Sequence, residues 1–160
     1  MATNFKNTFY DYISGAQTVP VSANATGTIS THGTAVIGTS TLFKTDMPAG
    51  SWLTSISANE IRKVVSIESD TVAYLSEAFT VDLSAVAPNV IHKSELNIVA
   101  ISISVPAAAA NTCLVDGKTF PKGASLTFSK DGRSTSGVRD FVDPLVVSAS
   151  ASTMLISICR

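Results

Sequence analysis

Turn-forming residues recur along this chain at a spacing of about 8–12 positions, and the runs between them are too short for anything but β-strands. Gly27, Gly33, Gly38, Gly50, Asp70, Asp116-Gly117, Pro121 and Gly123 punctuate segments rich in Val, Ile, Thr, Ser and Ala. Between them lie Ile29, Val36, Ile37, Leu53, Ile56, Ile61, Val64, Val65 and Ile67, branched or aliphatic residues that suit a pleated, half-buried surface. No long stretch repeats its apolar residues with the period of an amphipathic helix. The only helix-like pieces are residues 5–13 and 40–46. The expected fold class is therefore all-β.

Three zones are expected along the chain. Residues 1–25 form an N-terminal arm, with aromatic Phe5, Phe9, Tyr10 and Tyr12 and only Lys6 and Asp11 charged. Such a segment is sticky alone and belongs against its own domain or a neighbouring subunit. Residues 26–92 read as about five short strands closing into a small β-barrel or roll. Residues 93–160 read as a β-sandwich-like unit that begins with the strand 96–104. Val99, Ile101, Ile103 and Val105 share one phase of that strand, while Leu96, Ile98 and Ala100 share the other. Both faces are thus apolar over its first half, as in a strand covered on both sides in a sandwich core or a subunit interface.

Further on, Asp116-Gly117 favours a tight hairpin, Pro121-Lys122-Gly123 a second turn and Lys130-Asp131-Gly132 a third. Residues 145–147 and 154–158 read as the last strands, with Met154, Ile156 and Ile158 on one face. The alanine run 107–110 reads as a loop, since four residues cannot repay helix nucleation.

Charge narrows the function classes. Only 14% of the 160 residues are charged, against about 25% in an ordinary soluble domain, so part of the surface is expected to be covered by partners. A net charge of −1 argues against a nucleic-acid partner, which calls for a basic excess. No membrane span is expected: the uncharged stretch 96–115 is broken by Asn97, Ser102, Ser104, Pro106, Asn111 and Thr112. The first residues lack the basic start and apolar core of an export signal, so Cys113 and Cys159 are expected as reduced, buried thiols.

A search for chemistry yields scaffold instead. His32 and His92 have no metal-ligand spacing, and His32 reads as an ordinary turn residue. No Gly-x-Ser-x-Gly elbow is present, and Gly117-Lys118-Thr119 lacks the upstream glycine of a phosphate-binding loop. The turn-rich zone 116–143 mixes lysines and arginines with aspartates, as solvated loops do. Trp52 is expected to pack the small barrel beside Phe43 and Phe79. No enzymatic activity, metal or cofactor is expected.

The succession Gly27-Thr28, Gly38-Thr39-Ser40-Thr41-Leu42-Phe43, Gly50-Ser51-Trp52, Ile61-Arg62-Lys63-Val64, Ile67-Glu68-Ser69-Asp70-Thr71 and Ala78-Phe79 resembles a β-module of tailed-bacteriophage virion structural proteins. Ser51 stands where that module usually has aspartate, and Lys63-Val64-Val65 separates Arg62 from Ser66. The resemblance covers about a third of the chain. It implies a non-enzymatic particle component, best matched by a capsid decoration (cement) protein on the capsid surface of the virion. Such a protein is a homo-oligomer, often a trimer, and its partner is the phage major capsid protein. The expected partner surfaces are Phe5, Phe9, Tyr10 and Tyr12 of the arm and Ile98, Ile101 and Ile103 of the strand 96–104. Alternatives are a neck, tail or head-fibre component, or a receptor- or carbohydrate-binding module using Trp52.

Overall fold

The short apolar runs form strands, nearly all of them between the turn residues that delimit them. The computed structural model describes residues 7–10, 15–55, 58, 60–109, 113–116, 118–129, 143–149 and 154–159. In chain order the elements are β1 (Asn7–Tyr10), β2 (Gly15–Val19), β3 (Ala23–Asn24), β4 (Thr28–His32), β5 (Ala35–Thr39), the one-turn helix α1 (Phe43–Asp46), β6 (Trp52–Ser55), β7 (Glu60–Ile67), β8 (Val72–Leu75) and β9 (Asn89–Ile91). A short 3-10 turn (Lys93–Glu95) leads to β10 (Ala100–Ser104), β11 (Cys113–Val115), β12 (Lys118–Phe120), β13 (Ser125–Ser129), β14 (Leu145–Ala149) and β15 (Leu155–Cys159). The chain is all-β, and its ladders are antiparallel.

The strands belong to two compact units, one of Thr18–Glu95 and one of Met1–Gln17 with Leu96–Arg160. The first unit is thus inserted into the second along the chain. Within the zone 1–25 expected as an arm, the described residues 7–10, 15–19 and 23–24 are strands, so 7–10 is not part of the helix-like piece expected over 5–13. β1 lies along β15, with Asn7 opposite Cys159 and Tyr10 opposite Ile156. β2 is an edge strand beside β14. Pairing with a strand of the same chain satisfies backbone N–H and C=O groups that an isolated extended segment would leave to water, and that gain outweighs the segment's apparent independence.

The inserted unit is a seven-stranded sheet in the order β3-β9-β6-β7-β8-β5-β4. The chain from β3 through β4 runs beside residues 83–90 along most of its length. Ala23 pairs with Val90. Ala25 N–H donates to Pro88 O at 2.9 Å, Ile29 and Val86 exchange bonds of 2.8 and 3.0 Å, and Thr31 N–H donates to Leu83 O at 2.9 Å. These bonds join the two ends of the sheet through an irregular segment, so the unit is a roll and not a closed barrel. Alternation turns Ile29, Val36, Leu53, Val64, Ala73, Leu75 and Val90 inward, where Phe43, Met47 and Phe79 complete the core.

One sequence expectation changes here. Trp52 is only half-buried, on the side of β6 opposite Leu53, and it faces Lys63 and Ile91 across the ladder. Leu53, with no exposed area, takes the inward place that the period of two allows. Asp70 does more than close its own turn: its carbonyl accepts from Thr41 Oγ1 (2.6 Å) and Phe43 N–H (3.2 Å), and its Oδ1 accepts from Lys44 N–H (3.0 Å). The local turn bond comes from Ser69 Oγ, which accepts from Thr71 N–H at 3.2 Å.

The second unit holds two four-stranded sheets, β1-β15-β10-β13 and β12-β11-β14-β2. In the first, Ile101 lies between Ile158 and Phe128, and Ile103 between Ile156 and Leu126. Met154, Ile156 and Ile158 share the buried face that their spacing implies, each with no exposed area. In the second, Cys113, Val115 and Val147 are buried. β11 and β12 form the expected hairpin, with Val115 opposite Lys118 and Asp116 at φ +47. Residues 130–134, expected as a third turn, lie outside the described residues.

Gly27 has φ +82, and a Cβ on it would overlap the carbonyl oxygens of Thr39 and Ser40, which are backbone atoms with little room to yield. Gly27→Ala is expected to destabilise the roll by about 2–4 kcal/mol. Gly33→Asn is the control: the position has φ +58 with nothing within 4 Å. Asn tolerates that conformation, so its cost stays below about 1 kcal/mol. Urea unfolding followed by the fluorescence of Trp52, the only tryptophan, measures both.

Candidate interaction surfaces

Of the residues expected to meet a partner, the three isoleucines are buried within the chain. Ile98, Ile101 and Ile103 have no exposed area, so they are core of the second unit and offer a partner nothing. The apolar pattern that suggested an interface is satisfied within the chain. Phe9 and Tyr10 lie on β1, paired with Ser157 and Ile156. Phe5 and Tyr12 lie outside the described residues.

Among the described residues, two other surfaces are left open. The first crosses the outer face of the roll. Ile37 on β5 is 47% exposed, Tyr74 on β8 37% and Val65 on β7 51%. Ile37 sits opposite Val72, and Ala35 opposite Tyr74, so half-buried apolar residues fill the space between them. Tyr74 also pairs with Ser66 across the bulge that displaces Val65. The Tyr74 hydroxyl donates to Glu68 Oε2 at 2.9 Å, and that bond and the carboxylate's charge hold its pKa above the ordinary tyrosine value. The sequence did carry a signal for this face. Val36-Ile37 and Val64-Val65 are apolar doublets in half-buried strands, so one member of each has to face out.

The second is the open edge of the β12–β13 side of the second unit. Val115, Phe120, Leu126 and Phe128 line a groove there of about 280 Å³, with Asp116, Lys118 and Thr119 at its rim. β13 ends its sheet, and Leu126 is 41% exposed.

Several of the charged groups fasten the chain to itself. Glu60 Oε2 accepts from Thr80 N–H at 3.0 Å and from Arg62 Nη2 at 2.9 Å. Arg62 also donates through Nε to Ala78 O at 2.8 Å and stacks 5.4 Å from the centre of the Phe79 ring. Burial of Glu60 pushes its pKa up, but the Thr80 bond and Arg62 outweigh it, and the net shift is downward. Asp46 Oδ2 accepts from Thr26 N–H at 2.8 Å, and that bond lowers its pKa. Asp82 Oδ1 accepts from Gly33 N–H at 3.1 Å and Thr31 Oγ1 at 3.2 Å. Asp116 Oδ1 accepts from Val146 N–H at 2.9 Å.

A small recess of about 210 Å³ in the roll is lined by residues 23–26, Asp46, Val90 and His92. Its two ionisable groups are already engaged: Asp46 as above, and His92 Nδ1 by Ser94 N–H at 3.2 Å and Ser94 Oγ at 2.7 Å. His32, expected as a turn residue, is instead the exposed last residue of β4, with its Nδ1 3.8 Å from Asp82 Oδ2. Both histidines lie in the roll, and both cysteines lie in the other unit. Cys113 is buried, which raises its thiol pKa, and Cys159 is half-buried; neither is in a disulfide. Among the described residues no group of three or more His, Cys, Asp or Glu is placed to hold a metal ion. Among the same residues no helix is long and apolar enough to cross a membrane.

A search of protein families, of curated proteins and of solved structures returns no match to this chain.

The Glu60 latch makes stability depend on pH. Its folded pKa lies below the ordinary value of 4.5, so its contribution is complete above that value and is lost as pH falls through the lower, folded one. Glu60→Gln keeps a carbonyl oxygen for Thr80 but removes the charge facing Arg62. It is expected to cost about 2 kcal/mol at pH 7 and to flatten the fall in stability below the ordinary value. Thermal melts from pH 7 down to 3 check both; equal acid sensitivity in the two proteins rules the latch out.

Proposed function

We propose that this chain is a non-enzymatic structural component of a tailed-bacteriophage particle, a small capsid decoration protein that bridges major capsid proteins on the head surface. The observation that carries this reading is the apolar strip of Ile37, Val65 and Tyr74 on the outer face of the roll. It lies within the stretch 27–79, whose turns and strands resemble a virion module. A contiguous apolar surface on a chain with 14% charged residues is stabilised when a partner covers it. The capsid lattice presents one repeated site to many copies, and contact through a rigid sheet face needs no ordering of loops on binding.

The roll suits this use because its irregular segments are fastened. Glu60, Asp46, Asp70 and Asp82 each hold a remote backbone N–H, which keeps the outer face in one conformation. Incubation of the purified protein with undecorated heads is expected to give saturable binding at many copies per head. Ile37→Lys and Val65→Lys, both at exposed positions, are expected to weaken that binding at least about tenfold with the melting temperature unchanged. Absence of head binding, or variants that bind as the parent does, rules the reading out.

A carbohydrate-binding module is the second reading, favoured by the outward, half-buried position of Trp52 beside Lys63. A glycan array separates the two: this reading requires a signal that Trp52→Ala abolishes.

A further inference from the structure

Among the described residues no strand covers the outer edge of β13, and that edge has a sequence and a bonding pattern that fit a copy of itself. Val105 N–H donates to Ala124 O at 2.9 Å, just beyond the pairing of Ser104 with Ser125. Alternate residues of an antiparallel strand bond the same neighbour. Leu126 and Phe128 therefore turn their backbone groups toward β10, and Ser125, Thr127 and Ser129 turn theirs outward from the sheet edge. The side chains alternate too. Leu126 and Phe128 share the core face with Ile103 and Ile101, while Thr127 Oγ1 lies 2.9 Å from Ser102 Oγ on the opposite face.

We propose that two copies of this chain associate through β13, paired antiparallel about a two-fold axis at Thr127. The strand reads Ser-Leu-Thr-Phe-Ser, polar and apolar in the same order from either end. In the pair, Thr127 lies opposite the partner's Thr127, and Ser125 lies opposite the partner's Ser129. These are the residues whose N–H and C=O groups face out, so the new ladder uses every one of them. Leu126 lies opposite the partner's Phe128 in the intervening non-bonded pair, where side chains approach most closely. That contact extends the sandwich core across the axis and covers the mouth of the groove formed with Val115 and Phe120.

A second copy is favoured over an unrelated strand because the complement is already encoded. A two-fold contact has to be self-complementary, and this strand is so in both polarity and bonding register. β13 also lacks the lysine, proline or bulge that edge strands ordinarily carry against pairing. With no charge on the strand, two copies meet without repulsion. A contact of this kind closes on two chains, so the species is a dimer and not the trimer that the phage resemblance implies. The inference stands apart from head binding: it rests on the second unit alone.

The test uses the full chain. Sedimentation equilibrium is expected to give twice the 16.6 kDa chain mass. Ser125→Lys with Ser129→Lys places like charges opposite one another on the exposed face, away from the core. It is expected to raise the dimer dissociation constant at least about tenfold. Ser125→Glu with Ser129→Glu is expected to do the same, and a one-to-one mixture of the two variants to restore the dimer. Hydrogen exchange is expected to protect the amides of Ser125, Thr127 and Ser129 in the dimer and to release them on dilution. A monomeric or trimeric parent overturns the proposal. So does a lysine variant that remains as dimeric as the parent, or a mixture that fails to reassociate while each variant melts as the parent does.

Discussion

Carboxylates that accept backbone N–H groups from distant segments hold this structure together where strand pairing cannot. Asp46 reaches Thr26, Asp70 reaches Lys44, Asp82 reaches Gly33, Glu60 reaches Thr80 and Asp116 reaches Val146. In each case an element end or a turn has a donor with no partner in the ladder. A bond from such a donor to an ionised carboxylate contributes about 1.5–3 kcal/mol when shielded from solvent, and less at an exposed site. The roll depends on this most. Its sheet closes through the irregular segment 82–88, and Asp82 and Glu60 fix the ends of that path.

This use of charge explains the composition. A chain with so few ionised groups commits several of them to internal fastening, which leaves the strand faces to Ser, Thr and apolar side chains. Its exposed residues therefore include Ile37, Val65, Tyr74 and Leu126, where an ordinary soluble domain places lysines and glutamates. The acids occupied by structural bonds are also poorly placed for proton transfer. Downward pKa shifts at Asp46 and Glu60 make them worse proton carriers near neutral pH.

Local chemistry in the sequence was enough for some of the fold. The β class follows from run lengths and turn residues, the 116–117 hairpin from Asp-Gly, and the buried face of β15 from the spacing of Met154, Ile156 and Ile158. Pairing between distant segments was not legible. Nothing near Asn7 indicates that it will lie opposite Cys159, so a strand of the sandwich looked like an arm. Trp52 and Leu53 are both apolar neighbours, and the register set by β7 and β9 decides which of them turns inward. The isoleucines of β10 show the same limit from the other side: apolar spacing marks burial, but it does not distinguish burial by the same chain from burial by a partner.

The two open surfaces differ in kind, and the difference bears on what each can recognise. The strip on the roll is a sheet face whose backbone is already paired, so recognition there rests on shape and apolar area and tolerates variation in the partner. The β13 edge presents backbone groups that no described strand pairs, and such groups demand an extended strand in one register and direction. A face suits contact with a repeating lattice; an edge suits one defined partner strand. The two surfaces lie on different compact units of the chain. The proposed head attachment and the proposed self-association thus rest on different residues, and each can be probed by its own substitutions.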